Sequence, residues 1–227
     1  FMESGNGYMA KQRLDWLDIA KGIAILLVIV GHTVNNPSPI RTIIFSFHMP
    51  LFFILAGYTF RIKPWGELLK TSFTRLLAPY ALIVFAWWVP TFLTSGAPIT
   101  PKAVAQGLGS LIFASGTRVD ALGLSEVGMS WFLVALFLSR VMLNALMIAF
   151  ERFNVGVAWQ ALACIALAFC GVSLSKLLGI YLPLDADLCC YTVLLMWCGH
   201  MMRAYKLEPT RARWLVALGI GVVWVAC

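Results

Sequence analysis

Charge is scarce in this sequence. Only 12% of its 227 residues are Asp, Glu, Lys or Arg, and 61% are hydrophobic; an average soluble chain carries about 25% charged residues. A water-facing globular domain needs more polar surface than this composition supplies, so lipid is the solvent for most side chains. Strict alternation of apolar and polar residues is also missing, which excludes a membrane β-barrel. No CxxC pair occurs among the six cysteines, Cys164, Cys170, Cys189, Cys190, Cys198 and Cys227. All lie in or beside apolar stretches, where a thiol acts as a small buried hydrophobe. A disulfide between the adjacent Cys189 and Cys190 would be strained. His/Cys spacing of a zinc site is absent, so no metal and no bound cofactor are expected. There is no secretory signal peptide either, since no small-residue cleavage site closes the first apolar run.

What is present is a series of apolar segments with bases between them. Seven can be read: Ile19–Val34, Ile43–Phe60, Leu76–Leu93, Ser130–Phe150, Val155–Leu178, Leu188–Met202 and Trp214–Cys227. Backbone polar groups in hydrocarbon must be satisfied within the segment, so these are helices. The expected fold is an all-α, polytopic membrane bundle of about seven helices over residues 19–227, preceded by a cytoplasmic arm over 1–18. The formal charge is +7, from 17 Lys+Arg against 10 Asp+Glu. Bases between apolar runs mark cytoplasmic loops rather than nucleic-acid binding. Lys11, Arg13, Arg61, Lys63, Lys70, Arg75, Arg152, Arg203, Lys206, Arg211 and Arg213 fall on one side of the bundle; Arg41, Lys102, Arg118 and Lys176 fall on the other. This asymmetry places the N-terminus inside. Trp65, Trp87, Trp131, Tyr181 and Trp214 sit near segment ends, as interfacial aromatics do. The longest loop, about 94–129, is external, and Leu108–Ala114 within it can form a short amphipathic or re-entrant piece.

Polar groups inside a bilayer are expensive and mark function by default. Lys21 and His32 are 11 positions apart, close to three full turns, so they share a face about 16 Å apart along the axis. Asp18, three positions before Lys21, can pair with it. His48 emerges on the same side as His32, and two imidazoles near one rim suit proton handling, since histidine titrates near neutrality. Arg140 and Asn144 are four apart on one helix face; the Arg can hold a phosphate or an acyl oxygen, or pair with a buried acid. Arg75, with Lys70 and Arg61, forms a basic inner rim that suits a polyanion such as coenzyme A, although positive-inside topology alone also explains such charges. Asp187, with Asp185 nearby, opens the sixth segment and can orient a histidine or answer the helix dipole. His200 is expected at the inner interface.

The run Leu14-Asp15-Trp16-Leu17-Asp18-Ile19-Ala20-Lys21 through Gly31-His32 resembles the opening of the membrane acyltransferase-3 family, whose members include O-antigen acetylases and proteins described as fucose 4-O-acetylases. Phe47-His48-Met49-Pro50-Leu51-Phe52-Phe53 resembles its second signature. Arg75 with Pro79-Tyr80, Trp131-Phe132-Leu133, and Leu184-Asp185-Ala186-Asp187 followed by Gly199 fall where the family has similar residues, with His200 in place of the usual aromatic. Members usually have about ten transmembrane helices, so this chain is expected to be part of a longer protein. The resemblance implies transfer of an acyl group, usually acetyl, from cytoplasmic acyl-CoA as co-substrate to a hydroxyl of a cell-surface glycan or lipid-linked sugar, in a bacterial-type inner membrane. Catalytic roles are then expected for His32, His48 and Asp187. Lys21, Arg75 and Arg140 would bind the donor or stabilise charge, supported by Asp18, Asn144 and Trp131. A transporter of a small solute such as an amino acid is the alternative, because some relatives are fused to racemases and polar helix faces also suit translocation.

Overall fold

The computed structural model describes residues 14–35, 37–94, 100–116, 119, 123–177, 179 and 182–207. Most of the 1–18 arm, part of the 94–129 loop, Arg118, Tyr181, Arg211, Arg213 and the seventh segment Trp214–Cys227 lie outside these residues.

The first helix, α1, spans Asp15–Thr33, and α2 spans Pro39–Thr59. Trp65–Ser72, a π-helical turn Phe73–Leu77 and Ala78–Thr94 run on as one element, α3. Then come α4 (Pro101–Phe113), α5 (Trp131–Arg152), α6 (Val157–Lys176) and α7 (Ala186–Ala204). Five of these, α1, α2, the Trp65–Trp87 part of α3, α5 and α6, are long and apolar enough to cross a membrane. Together they make the expected all-α membrane bundle. Each of the first six segments read from the sequence is a helix, most extended by several residues at one or both ends.

Large apolar side chains point outward. Ile19, Leu26, Trp87, Trp159 and Phe169 are all more than half exposed, which in water would be a severe liability and in lipid is the expected surface. The buried core lies between α2, α5, α6 and α7 and contains Phe53, Phe60, Leu143, Met147, Cys164, Val193 and Met196. α7 is less apolar than the five spanning helices but packs on three of them, α2, α5 and α6. Neighbouring helices substitute for lipid around it.

Small residues let α7 approach closely. A Cβ on Gly57 of α2 would strike the backbone of Met196, and one on Gly199 of α7 would strike the backbone of Ile54. Such reciprocal glycine contacts are how helices pack where lipid removes the hydrophobic drive. Hydroxyls join α5 to α7 in the same core: the Ser139 and Thr192 oxygens lie 2.6 Å apart, so one donates to the other, and the second gives its own proton to a backbone carbonyl, Ala135 O or Cys189 O.

The π-helical turn has a sequence cause. Pro79 has no N–H to give to a carbonyl one turn below it. The helix widens just before it, so that the Ala78 N–H bonds to Phe73 O, five residues back. Such insertions cluster at functional sites, and this one has Arg75 at its centre.

Candidate active site

A cavity of about 830 Å³ opens between α1, the C-terminal end of α2, α3 and α5. Its walls carry Lys21, Arg61, Lys63, Arg75 and Arg140, with the hydroxyls of Thr59, Thr71 and Ser72. Among the described residues no carboxylate lines it. Five cations around one space repel each other unless an anion fills it. Two buried polar atoms of the wall, Arg140 Nε and Ser72 Oγ, have no hydrogen-bond partner among the described residues. Buried donors without partners are costly, so the wall is built to meet a polar ligand.

Each cation reaches the cavity by a distinct route. Lys21 points in from α1; Asp18, one turn nearer the chain start, is not among the lining residues. Arg75 comes from the π turn and Arg140 from the middle of α5. Lys63 belongs to the short connection between α2 and α3, and Asn144 holds that connection in place. The Asn144 side chain accepts from the Lys63 N–H (3.0 Å) and donates to the Lys63 carbonyl (3.1 Å). Asn144 is 0% exposed. It shapes the cavity by fixing its rim rather than by facing the ligand. Lys63 also pairs with Glu67 outside the cavity.

Lys70, expected in this rim, is not part of it and stays exposed. Five positions before Arg75, it is roughly 140° further round the helix. Lys63 and Ser72 take part instead. Lys63 lies in a loop whose path the sequence does not dictate, and Ser72 carries no motif; the lone signal for either was proximity to Arg61 and Arg75 in the chain.

The imidazoles stand at the other end of α1 and α2. Phe45 of α2 lies between them, its ring centroid 5.2 Å from that of His32 and 5.1 Å from that of His48. The Arg41 guanidinium sits 4.9 Å over the same ring. Gly31 makes the approach possible, because a Cβ there would meet Phe45 and Ile44. His32 is exposed at the rim, whereas His48 is 3% exposed. The Nδ1 of His48 lies 2.7 Å from the Ile44 carbonyl. A carbonyl only accepts, so Nδ1 carries a proton, and in the neutral imidazole Nε2 holds the lone pair. That Nε2 is buried with no partner among the described residues. Lys21 and His32 thus both turn toward α2, one into the cavity and one onto Phe45.

Asp187 does not join this group. It opens α7 with its backbone oxygen against Gly171 of α6, and neither His32 nor His48 hydrogen-bonds to it among the described residues. The first turn of α7 packs on α6. The carboxylate with partners here is Asp185, whose Oδ2 accepts from the Gly116 N–H at 3.0 Å. Trp131, at the start of α5 and nine positions before Arg140, lies beneath Gly116; a Cβ on Gly116 would strike its ring. His200, near the C-terminal end of α7, stacks edge-on against Phe60. The amphipathic piece of the 94–129 loop is α4, which begins at Pro101, earlier than the expected Leu108, because Thr100 caps it by accepting from the Ala103 N–H.

The acyltransferase-3 family, described as an acyltransferase domain, matches residues 14–227. The nodulation protein NolL of Mesorhizobium japonicum is 31% identical over 171 residues, covering 70% of this chain and 42% of that protein. NolL of Sinorhizobium fredii is 30% identical over 181 residues, covering 73% and 45%. The chain thus spans less than half the length of these curated relatives. No solved structure matches it. The chain belongs to the acyltransferase-3 family.

Proposed function

We propose that this member of the acyltransferase-3 family is part of a multi-pass membrane O-acyltransferase. It takes an acyl group, acetyl by preference, from cytoplasmic acyl-CoA and gives it to a hydroxyl of a cell-surface glycan or lipid-linked sugar, in a bacterial-type inner membrane. The observation that carries this reading is the cavity with Lys21, Arg61, Lys63, Arg75 and Arg140 in its wall and no carboxylate among the described residues that line it. The phosphates of coenzyme A offer the clustered negative charge such a wall needs, and Arg meets phosphate with paired, charge-assisted hydrogen bonds.

The donor enters from the basic end, and its pantetheine arm runs along α1 toward the imidazoles. His32 lies 11 residues, about 16 Å, along the axis from Lys21, a span comparable to that arm when extended. His32 takes the proton of the acceptor hydroxyl as its oxygen attacks the thioester carbonyl. The C–S bond breaks, and the imidazolium returns its proton to the departing thiolate. His48 accepts a hydrogen bond at Nε2 from the acceptor or a neighbouring hydroxyl, held in that tautomer by Ile44. Lys21 and Arg140 stabilise negative charge on the donor side.

The test uses the full-length protein in vesicles with labelled acetyl-CoA and a membrane extract as acceptor source. Label transferred to acceptor by wild type and lost in His32→Ala supports the reading. Uptake of a solute such as an amino acid without acylation would replace it with a transporter.

A further inference from the structure

At the outer end of the bundle, one carboxylate is held in an unusual position. Leu184 and Asp185 both have positive φ, 63° and 49°, immediately before α7. Neither is glycine, and successive left-handed residues are strained unless their surroundings compensate. The strain turns the Asp185 side chain away from the α6 side of α7 and toward the segment that follows α4. There its Oδ2 accepts from the Gly116 N–H at 3.0 Å, and the Ser115 hydroxyl donates to the same carboxylate.

A second tie lies alongside. The Tyr80 hydroxyl of α3 donates to the Leu111 carbonyl at 2.7 Å, near the end of α4. Tyr80, Val84, Ala114 and Val134 form a small buried cluster beneath, with Leu184 packed on it. Gly116 presses on the Trp131 ring, so the backbone there has one place to sit. The segment after Thr100 is thereby fastened to α3, α5 and α7 together, at the end of the bundle opposite the basic cavity.

Holding a charge here is costly. Burial pushes the Asp185 carboxyl above its ordinary value of 3.8, against the pull of its Gly116 and Ser115 hydrogen bonds, and Asp187 adds to the rise. Tyr80 from α3 and Asp187 and Cys189 from α7 are the other titratable groups that feel it. A carboxylate is the group that can accept from both Gly116 and Ser115 at once, which an amide oxygen does less well.

From these contacts we infer that Asp185 is a positioning residue that fastens the outer segment Thr100–Gly116 across the acceptor end of the bundle and keeps bulk water from the acyl donor. This rests on the acyltransferase reading above. A site that carries an activated acyl group across a membrane must exclude water as a competing acceptor, and the Asp185 hydrogen bond to Gly116, with Leu184 packed on the neighbouring cluster, joins α4 to α7 at the outer end.

The experiment compares the full-length wild type with Asp185→Ala and Asp185→Asn in nanodiscs. Three quantities are read: deuterium exchange in peptides covering Ser110–Gly116, affinity for coenzyme A, and hydrolysis of acetyl-CoA without added acceptor. In Asp185→Ala, exchange accelerates about tenfold or more in that segment while α5 and α6 keep their protection. Coenzyme A affinity stays within about twofold, and hydrolysis rises severalfold. Asp185→Asn, which keeps one acceptor oxygen for Gly116, falls between. Unchanged exchange, unchanged hydrolysis despite faster exchange, or an equal loss of coenzyme A affinity would each overturn the inference. If wild type itself fails to bind coenzyme A, the acyltransferase reading fails and the water-excluding role falls with it, while the exchange data still decide whether Asp185 fastens the segment.

Discussion

The Asn144 side chain and the Lys63 backbone exchange two hydrogen bonds across 81 positions of sequence, one in each direction. That pair joins the middle of α5 to the connection between α2 and α3, and it sets where the cavity's basic rim sits. Asn144→Ala leaves a backbone N–H and a carbonyl without partners, at about 1–3 kcal/mol each. The expected result is a lower unfolding temperature in detergent together with weaker coenzyme A binding. Asn144→Asp keeps the acceptor for the Lys63 N–H but loses the donor, so it falls between wild type and alanine. Circular dichroism melts and a binding titration on the same samples check both parts.

Removing a cavity cation has opposite effects on stability and binding. Among the described residues, Arg140 and Arg75 face other cations and no acid in the cavity. Arg140→Met therefore relieves repulsion and the empty protein melts at the same or a higher temperature. Its affinity for coenzyme A falls by about 10- to 100-fold, the size expected for a charged hydrogen bond of about 1.5–3 kcal/mol. A variant that loses stability while retaining affinity would show that Arg140 is a packing residue.

Gly57→Ala and Gly199→Ala drive a methyl into the opposing backbone at the α2–α7 contact. Each is expected to cost about 1–3 kcal/mol by overpacking and to lower folded yield in membranes. Gly22→Ala and Gly66→Ala, where the added methyl meets nothing within 4 Å, serve as controls that leave yield unchanged. Size-exclusion profiles of the four variants give the answer.

Asp185 makes the outer segment pH-dependent, and the sign follows from its raised carboxyl. Between its ordinary value of 3.8 and the higher folded value, the native state holds the proton more tightly than the unfolded one. Its contribution to stability is full below 3.8 and is lost as pH rises through the folded value. Asp185→Asn removes this slope. Thermal melts from acid to neutral pH are expected to show wild type losing stability across that window, with the Asn variant flatter.

Much of this architecture can be read from composition and spacing, because lipid imposes strong rules. Apolar runs of near-bilayer length become helices whatever their neighbours do, and 11-residue spacing puts Lys21 and His32 on one face. Arg75 and Arg140 were legible as polar groups at odds with their apolar surroundings. Lys63 was not, because a loop's path depends on a contact with Asn144 that is distant in sequence. Asp185 rather than Asp187 turns to the outer segment because of two left-handed residues, and neither Leu184 nor Asp185 signals that backbone as a glycine would. Lys70 was placed in the rim by charge alone, whereas its angle on α3 carries it away.

The central claim is that the basic cavity holds the phosphates of an acyl-CoA. Titration of coenzyme A onto the full-length protein in nanodiscs, wild type beside an Arg75→Ala/Arg140→Ala double variant, tests it most directly. The account predicts saturable binding that weakens as salt rises, and an affinity at least about 100-fold lower in the double variant. Equal affinity for the two proteins, or binding indifferent to salt, would contradict it.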